Sequence, residues 1–146
     1  MYGRLLIIDS ISAFDVLEHI PRWERIDSKV EYPFINLMNE VYRILKPGGF
    51  FIGVTPAYPH PSAFQDPTHV NVITSETISY FAGEEPGAKS LGYGFEGRFE
   101  LVINSRLRGP GPYEANSWLR IKQISPERTL LEIKRGDLPR LIVRSF

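Results

Sequence analysis

Short apolar runs open the chain, at Leu5–Ile8 and Ser10–Phe14. Continuous runs without alternation of apolar and polar residues are typical of buried parallel strands, and either run can form one. The next segment, Asp15–Pro21, predicts a turn into a short helix that its proline ends. Arg22–Glu31 is charged and has no apolar period, so we predict a mobile loop there.

A helix is predicted to begin at Pro33, whose ring presets the backbone for the first helical turn. The apolar positions that follow have helical spacing; they are Phe34, Leu37, Met38, Val41, Ile44 and Leu45. Lys46–Gly49 holds a cation, a proline and two glycines, which is how a helix ends. Phe50–Thr55 is apolar and predicts a strand, so the whole segment is an αβ unit.

The second half of the chain changes character. Pro56–Pro67 and Gly83–Gly97 are rich in proline or glycine and predict loops, and between them Thr74 or Ser75 can cap a short helix that runs to Phe81. The remainder predicts antiparallel strands joined by hairpins; these strands are Phe99–Leu107, Ser117–Ile124, Thr129–Lys134 and Leu141–Phe146.

Composition narrows the class of protein. The 146 residues are 42% hydrophobic and 23% charged, which suits one globular domain over residues 1–146. Lys and Arg balance Asp and Glu at 17 each, so charge points neither to nucleic acid nor to a membrane surface. The absence of cysteine excludes disulfides and thiolate chemistry. No apolar run reaches a membrane span and the first residues make a poor signal peptide, so a cytoplasmic location is the default expectation.

Two segments resemble one enzyme family. Ser12–Pro21 contains Leu-Glu-His followed by a hydrophobic residue, and Asn39–Phe51 contains Arg-x-Leu-Lys-Pro-Gly-Gly. In this order and at this separation they resemble the fourth strand, and the following helix and fifth strand, of class I S-adenosylmethionine-dependent methyltransferases. Thr55–Asn71 is similar to the loop after the fifth strand in a subgroup that modifies small molecules and surface polysaccharides.

The resemblance covers residues 10–81 and implies an α/β fold. The expected architecture is a partial Rossmann-like methyltransferase sheet, with parallel strands first and an antiparallel, β-rich part over residues 98–146. S-adenosylmethionine is the cofactor that the family implies. The family binds it mainly through a Gly-x-Gly-type turn after its first strand and an acidic residue that ends its second strand. Only nine residues precede Ser10, so neither element fits here.

The end of the first motif holds the candidate cofactor residues. By resemblance, Ala13, Phe14, Asp15 and Glu18 lie beside the methionine part of the cofactor, and His19 orients or deprotonates a substrate. The alternative is structural and is favoured in a chain without the glycine-rich turn. In that alternative Glu18 and His19 belong to a helix start, where the helix dipole stabilises the acid.

The proline-rich loop holds the candidate substrate residues, which are Tyr58, His60, Gln65 and Asp66. His69 is the candidate general base toward an acceptor hydroxyl, because the reference pKa of histidine, about 6.5, suits proton transfer near neutrality. An equally strong alternative is that His69 and Asn71 hydrogen-bond the backbone and hold the loop in shape. A metal site of Asp66, His69 and His60 has no common ligand spacing, so no metal is predicted.

Two functions from different classes follow. The first is a truncated methyltransferase-like protein that transfers a methyl group to a small-molecule or sugar-like acceptor only with a complementing chain or upstream sequence. The second is a non-catalytic binding or assembly module derived from such an enzyme. Either way Ser10–Phe14 lacks the neighbouring first strand, so we expect a homodimer or a complementing chain at that edge, unless Leu5–Ile8 covers it.

Overall fold

The computed structural model of the protein describes residues 8–107 and 128–135. The strands are β1 (Ile8–Phe14), β2 (Glu24–Ile26), β3 (Lys29–Glu31), β4 (Leu45–Pro56), β5 (Phe99–Leu107) and β6 (Arg128–Arg135). The helices are α1 (Pro33–Ile44) and α2 (Gly87–Ser90), with single 3₁₀ turns at Leu17–His19, Pro61–Ala63 and Thr77–Tyr80. The fold is mixed α/β.

A four-stranded sheet in the order β1-β4-β6-β5 forms the centre of the described residues. β1 and β4 are parallel, and α1 precedes β4 in the connection between them. β6 is antiparallel to both β4 and β5. The predicted strands Ser10–Phe14, Phe50–Thr55, Phe99–Leu107 and Thr129–Lys134 are therefore confirmed, as is the antiparallel pairing of the last two. Ser117–Ile124, Leu141–Phe146 and most of Leu5–Ile8 lie outside the described residues.

α1 forms where the apolar spacing predicts it. Pro33 occupies its first turn, and the buried residues Phe34, Met38 and Val41 lie on one face. This face joins a core cluster that includes Phe81, Phe95 and the first residue of β5, Phe99. The core therefore binds the helix, the loop after β4 and the beginning of β5 into one packed unit.

Lys46–Gly49, which was expected to separate the helix from the strand, lies within β4. β4 begins at Leu45, directly after α1. Its residue Leu45 pairs with Ile8 of β1, but the next pair joins Phe50 of β4 to Ser10 of β1, so the register changes between them. The intervening residues of β4 are looped out against a single residue of β1, and Gly48 there has φ +78°. Glycine adopts this left-handed conformation without steric cost, so the motif still makes the bend that its composition indicates.

Two loop predictions are wrong. Arg22–Glu31 forms the antiparallel hairpin β2–β3, with Ile26 paired to Lys29 across a two-residue turn. Within Gly83–Gly97, residues Gly87–Ser90 form the one-turn helix α2. The short helix expected to end at Phe81 is present as the 3₁₀ turn Thr77–Tyr80. None of the helices in the described ranges is both long enough and apolar enough to cross a bilayer.

Candidate functional site

Parallel pairing brings the ends of β1 and β4 to the same edge of the sheet. β1 ends at Phe14, and Asp15, with φ +53°, turns the chain into the 3₁₀ turn Leu17–His19. The backbone N–H of Asp15 donates to the carbonyl of Val54 at 2.9 Å, which fixes this turn against β4. The carboxyl ends of parallel strands are where open α/β sheets bind their ligands.

Glu18 is buried at this edge, with 1% of its surface exposed. Its Oε2 accepts a hydrogen bond of 2.8 Å from the hydroxyl of Thr55, the penultimate residue of β4. Its Oε1 is buried and has no hydrogen-bond partner among the described residues. A buried carboxylate with one unpaired oxygen is costly, so the position is better suited to a ligand than to stability.

Both histidines of the sequence motifs face that unpaired oxygen. Nε2 of His19 and Nε2 of His69 each lie 4.0 Å from Oε1 of Glu18. The two rings meet edge to face, with centroids 4.8 Å apart and planes at 77°. The side chain of His69 is 9% exposed and that of His19 is 38% exposed. The cluster of Glu18, His19 and His69 is therefore open to solvent on the His19 side.

Asp66 and Thr68 orient His19. The hydroxyl of Thr68 donates to Oδ1 of Asp66 at 2.7 Å, and its backbone N–H donates to the same oxygen at 2.8 Å. These bonds hold the pKa of the Asp66 carboxyl below its usual range, with smaller contributions from His69 and His19. Because the Thr68 hydroxyl gives its proton to Asp66, it can only accept from Nδ1 of His19, 3.0 Å away. The His19 proton is thus on Nδ1, and Nε2 presents its lone pair to Glu18.

Asn71 fastens the proline-rich loop to the segment after β1. Its side-chain amide donates to the carbonyl of Leu17 at 3.1 Å, and its backbone N–H donates to the carbonyl of Glu18 at 2.9 Å. Arg22 donates in turn to the Asn71 side-chain oxygen at 2.6 Å. The scaffold role expected for Asn71 is confirmed. His69 differs, because its buried Nδ1 has no partner in the described part of the chain.

The other predicted site residues lie at different distances from the cluster. Asp66 is near the cluster, with Oδ2 3.9 Å from Nε2 of His69. His60 instead caps the turn Pro61–Ala63, where its Nδ1 accepts from the backbone N–H of Ser62 at 3.2 Å. Tyr58 is exposed and meets the ring of Phe64, and Gln65 is exposed. The structure thus brings Glu18, His19, Asp66 and His69 together and leaves these three aside.

Ala13, Phe14 and Asp15 lie at the end of β1 and are half-buried. Their position agrees with the strand end that the sequence motif indicates.

Thr55 and Thr68 are site residues that sequence reasoning missed. Thr55 had a usable signal, because it ends a predicted strand parallel to the one that precedes Glu18, and such ends meet. Thr68 had none, since its contacts depend on how the proline-rich loop folds back to His19.

A separate cavity of about 560 Å³ has Arg22 in its lining. Its lining includes the partly exposed aromatic side chains of Trp23, Tyr32, Tyr80 and Tyr93. None of the three cluster residues lines it. Residues 8–107 therefore include a polar cluster at the strand ends and, apart from it, an aromatic cavity, and Arg22, which lines the cavity, donates a hydrogen bond to Asn71.

Comparison of the chain with models of known protein families and with curated proteins gave no match.

Proposed function

We propose that these residues form the acceptor-side part of an S-adenosylmethionine-dependent methyltransferase, which methylates a small-molecule or sugar-like acceptor. The observation that carries the proposal is the convergence of Glu18, His19, His69 and Thr55 at the adjacent carboxyl ends of β1 and β4. Ligands of doubly wound sheets bind at this edge. The same residues belong to the segments that resemble the methyltransferase family.

The sheet order supports a partial Rossmann-like architecture. The strand of the Leu-Glu-His motif, β1, pairs in parallel with the strand that follows Lys-Pro-Gly-Gly, β4, as expected for fourth and fifth strands of such a sheet. An antiparallel pair, β6 and β5, then continues the sheet beyond β4. This is the arrangement that the proposed family predicts for its fifth strand and final strand pair.

The cofactor would need further residues. By resemblance, the family's glycine-rich turn would precede β1, and residues 1–9 contain no Gly-x-Gly sequence. We propose that a complementing chain or additional upstream sequence supplies these further residues, and that this part alone is inactive. Ala13, Phe14, Asp15 and Glu18 would then border the methionine end of the cofactor, and His19 and His69 would face the acceptor. A cytoplasmic location stays a prediction.

Photolabelling of the protein as isolated from its native source tests the proposal. Ultraviolet irradiation with methyl-tritiated S-adenosylmethionine is expected to label a peptide that contains residues 13–18. Excess S-adenosylhomocysteine should suppress that label, which controls for nonspecific attachment. Absence of a competable label from this peptide, in a preparation of established intact mass, would contradict the proposal.

The alternative is a non-catalytic binding module, and the aromatic cavity favours it. Partly exposed aromatic rings beside an arginine suit the stacking of a flat or sugar-like ligand. Trp23, which is 64% exposed, gives a direct readout. Fluorescence quenching by nucleosides or saccharides that is lost in Trp23→Phe, together with no competable S-adenosylmethionine label, would favour the binding module over the enzyme.

A further inference from the structure

The cluster of Glu18, His19 and His69 has the composition of a metal site. Each residue offers one ligand atom, and these atoms all lie within 4.8 Å of one another. Two imidazoles and one carboxylate, with no thiolate, are a donor set that suits first-row divalent transition metals. Three protein ligands with solvent access on one side are the arrangement that leaves a coordination position open for chemistry.

The unpaired atoms give independent support for a cation. Oε1 of Glu18 is buried without a hydrogen bond and faces two imidazole nitrogens at 4.0 Å, a distance too long for a hydrogen bond. Nε2 of His19 presents a lone pair to this oxygen, because Thr68 fixes the proton on Nδ1. Two electron-rich atoms pointed at each other in a buried place are unfavourable, and a positive ion between them removes that cost.

The surroundings hold two of the ligands in binding orientation. Thr55 donates to the second carboxylate oxygen of Glu18, and Thr68 accepts from the second ring nitrogen of His19. Hydrogen bonds of this kind orient metal ligands and fix the tautomer of the histidine. His69 lacks such a partner in the described residues, so its ring is the least constrained of the three.

We propose that Glu18, His19 and His69 bind one divalent transition-metal ion, of the zinc, cobalt or manganese class. Ligand bonds of about 2.0–2.2 Å put tetrahedral ligand atoms roughly 3.4 Å apart. The 4.0 Å separations must therefore close by about 0.6 Å, and the widest separation, which is within 4.8 Å, by up to about 1.4 Å. The ring of His69, whose Nδ1 has no hydrogen-bond partner among the described residues, has the freedom to move, and His19 is open to solvent on its outer side. The remaining coordination positions are open to water or to an acceptor oxygen.

The ion would define the acceptor class, and this step rests on the proposed methyl transfer. A metal lowers the pKa of a coordinated hydroxyl, so its proton leaves to solvent. The oxygen then forms a bond to the methyl carbon of S-adenosylmethionine. The carbon–sulfur bond breaks with its electron pair on sulfur, which leaves neutral S-adenosylhomocysteine. The site therefore favours hydroxyl acceptors with a neighbouring oxygen that can join the same ion.

Cobalt titration of the chelator-treated protein tests the metal site without any methyl donor. We expect binding of one Co²⁺ per chain by calorimetry, with the visible d–d absorption bands of a Co²⁺ ion held in a low-coordinate protein site. His19→Ala and Glu18→Gln should each weaken binding on the order of 100-fold, since even outer-shell changes cost 10–100-fold. His60→Ala is the matched control, because His60 is the third of three histidines and lies outside the cluster. It should change the affinity by less than about 2-fold.

The outcomes separate the two proposals. Failure to bind Co²⁺, or binding that His60→Ala weakens as much as His19→Ala does, would overturn the metal site while the photolabelling result still judges methyl transfer. Since His19 is half-exposed, His19→Ala removes no core contact and tests the site even if Glu18→Gln unfolds the protein. If one Co²⁺ binds per chain but photolabelling gives no competable S-adenosylmethionine label, the metal site stands and its role in methyl transfer is contradicted.

Discussion

Glu18 shows how a single residue couples the fold to the candidate site. Its backbone carbonyl accepts from Val70 and Asn71, so it holds the proline-rich loop in place. Its side chain is meanwhile buried and only half satisfied, by Thr55. Stability alone would favour an apolar side chain at such a position, because a buried carboxylate must recover its lost hydration from hydrogen bonds or an ion.

Thr55→Val measures that coupling. The variant keeps the shape of the side chain but removes the hydroxyl that donates to Glu18, so both carboxylate oxygens would be buried without a protein donor. We expect the free energy of unfolding to fall by about 1–3 kcal/mol in denaturant titrations. Thr55→Ser keeps the hydroxyl and is the matched control, with a loss of about 1 kcal/mol or less. Equal losses in the two variants would show that the hydrogen bond has no net effect.

At this scale, sequence patterns identified the right segments but not every partner. The Leu-Glu-His motif and the proline-rich loop, which hold the candidate residues, converge in the structure. Periodicity could not tell His60 from His69, since both lie in the same irregular loop. The difference arises from a local cap, because His60 hydrogen-bonds to the backbone of Ser62 and is thereby held apart from the cluster.

Among the secondary-structure elements, the β2–β3 hairpin is where sequence reasoning failed. Its turn residues Asp27 and Ser28 both have positive φ, 47° and 67°. Such turns usually carry Asn-Gly or Asp-Gly, and Asp-Ser is a weak signal for them. The charged flanks also lack an apolar face, and every residue of β2 is exposed. By contrast, α1 and β4 were predictable, because their apolar positions are spaced for burial and the core provides it.

Ser28→Gly is expected to stabilise the hairpin. Serine at φ 67° carries a steric cost that glycine lacks, whereas a β-branched residue carries more. We expect Ser28→Gly to slow amide exchange at Lys29 and Glu31, which belong to the alternate, hydrogen-bonded pairs of the hairpin, by the equivalent of about 0.5–1 kcal/mol. Ser28→Val should accelerate the same exchange. Faster exchange in the glycine variant would contradict a left-handed conformation at Ser28.

At the scale of the whole molecule, β1 forms an edge of the described sheet beside the candidate site. β1 pairs only with β4 among the described strands, and Asp9, Ser10 and Ser12 on it are exposed. An edge strand with free backbone groups invites pairing with another chain. We therefore propose that β1 is the surface for a second copy or for a complementing chain.

Sedimentation at several protein concentrations tests this edge. We expect a monomer–dimer equilibrium that Ser12→Lys shifts toward monomer, since a lysine on an edge strand opposes pairing. Gln65→Lys adds the same charge at an exposed loop position and should leave the equilibrium unchanged. A clean monomer at high concentration, or equal shifts in both variants, would contradict association through β1.

Titration of S-adenosylmethionine by calorimetry tests the central claim most directly. The 146-residue chain should bind the cofactor weakly or not at all, because neither β1 nor β4, the parallel strands of the described residues, is followed by a glycine-rich turn that could receive the adenosyl group. The protein as isolated from its native source, with the complementing half that we propose, should bind in the micromolar range. Micromolar binding by the chain alone, or no binding by the complemented protein, would contradict the account.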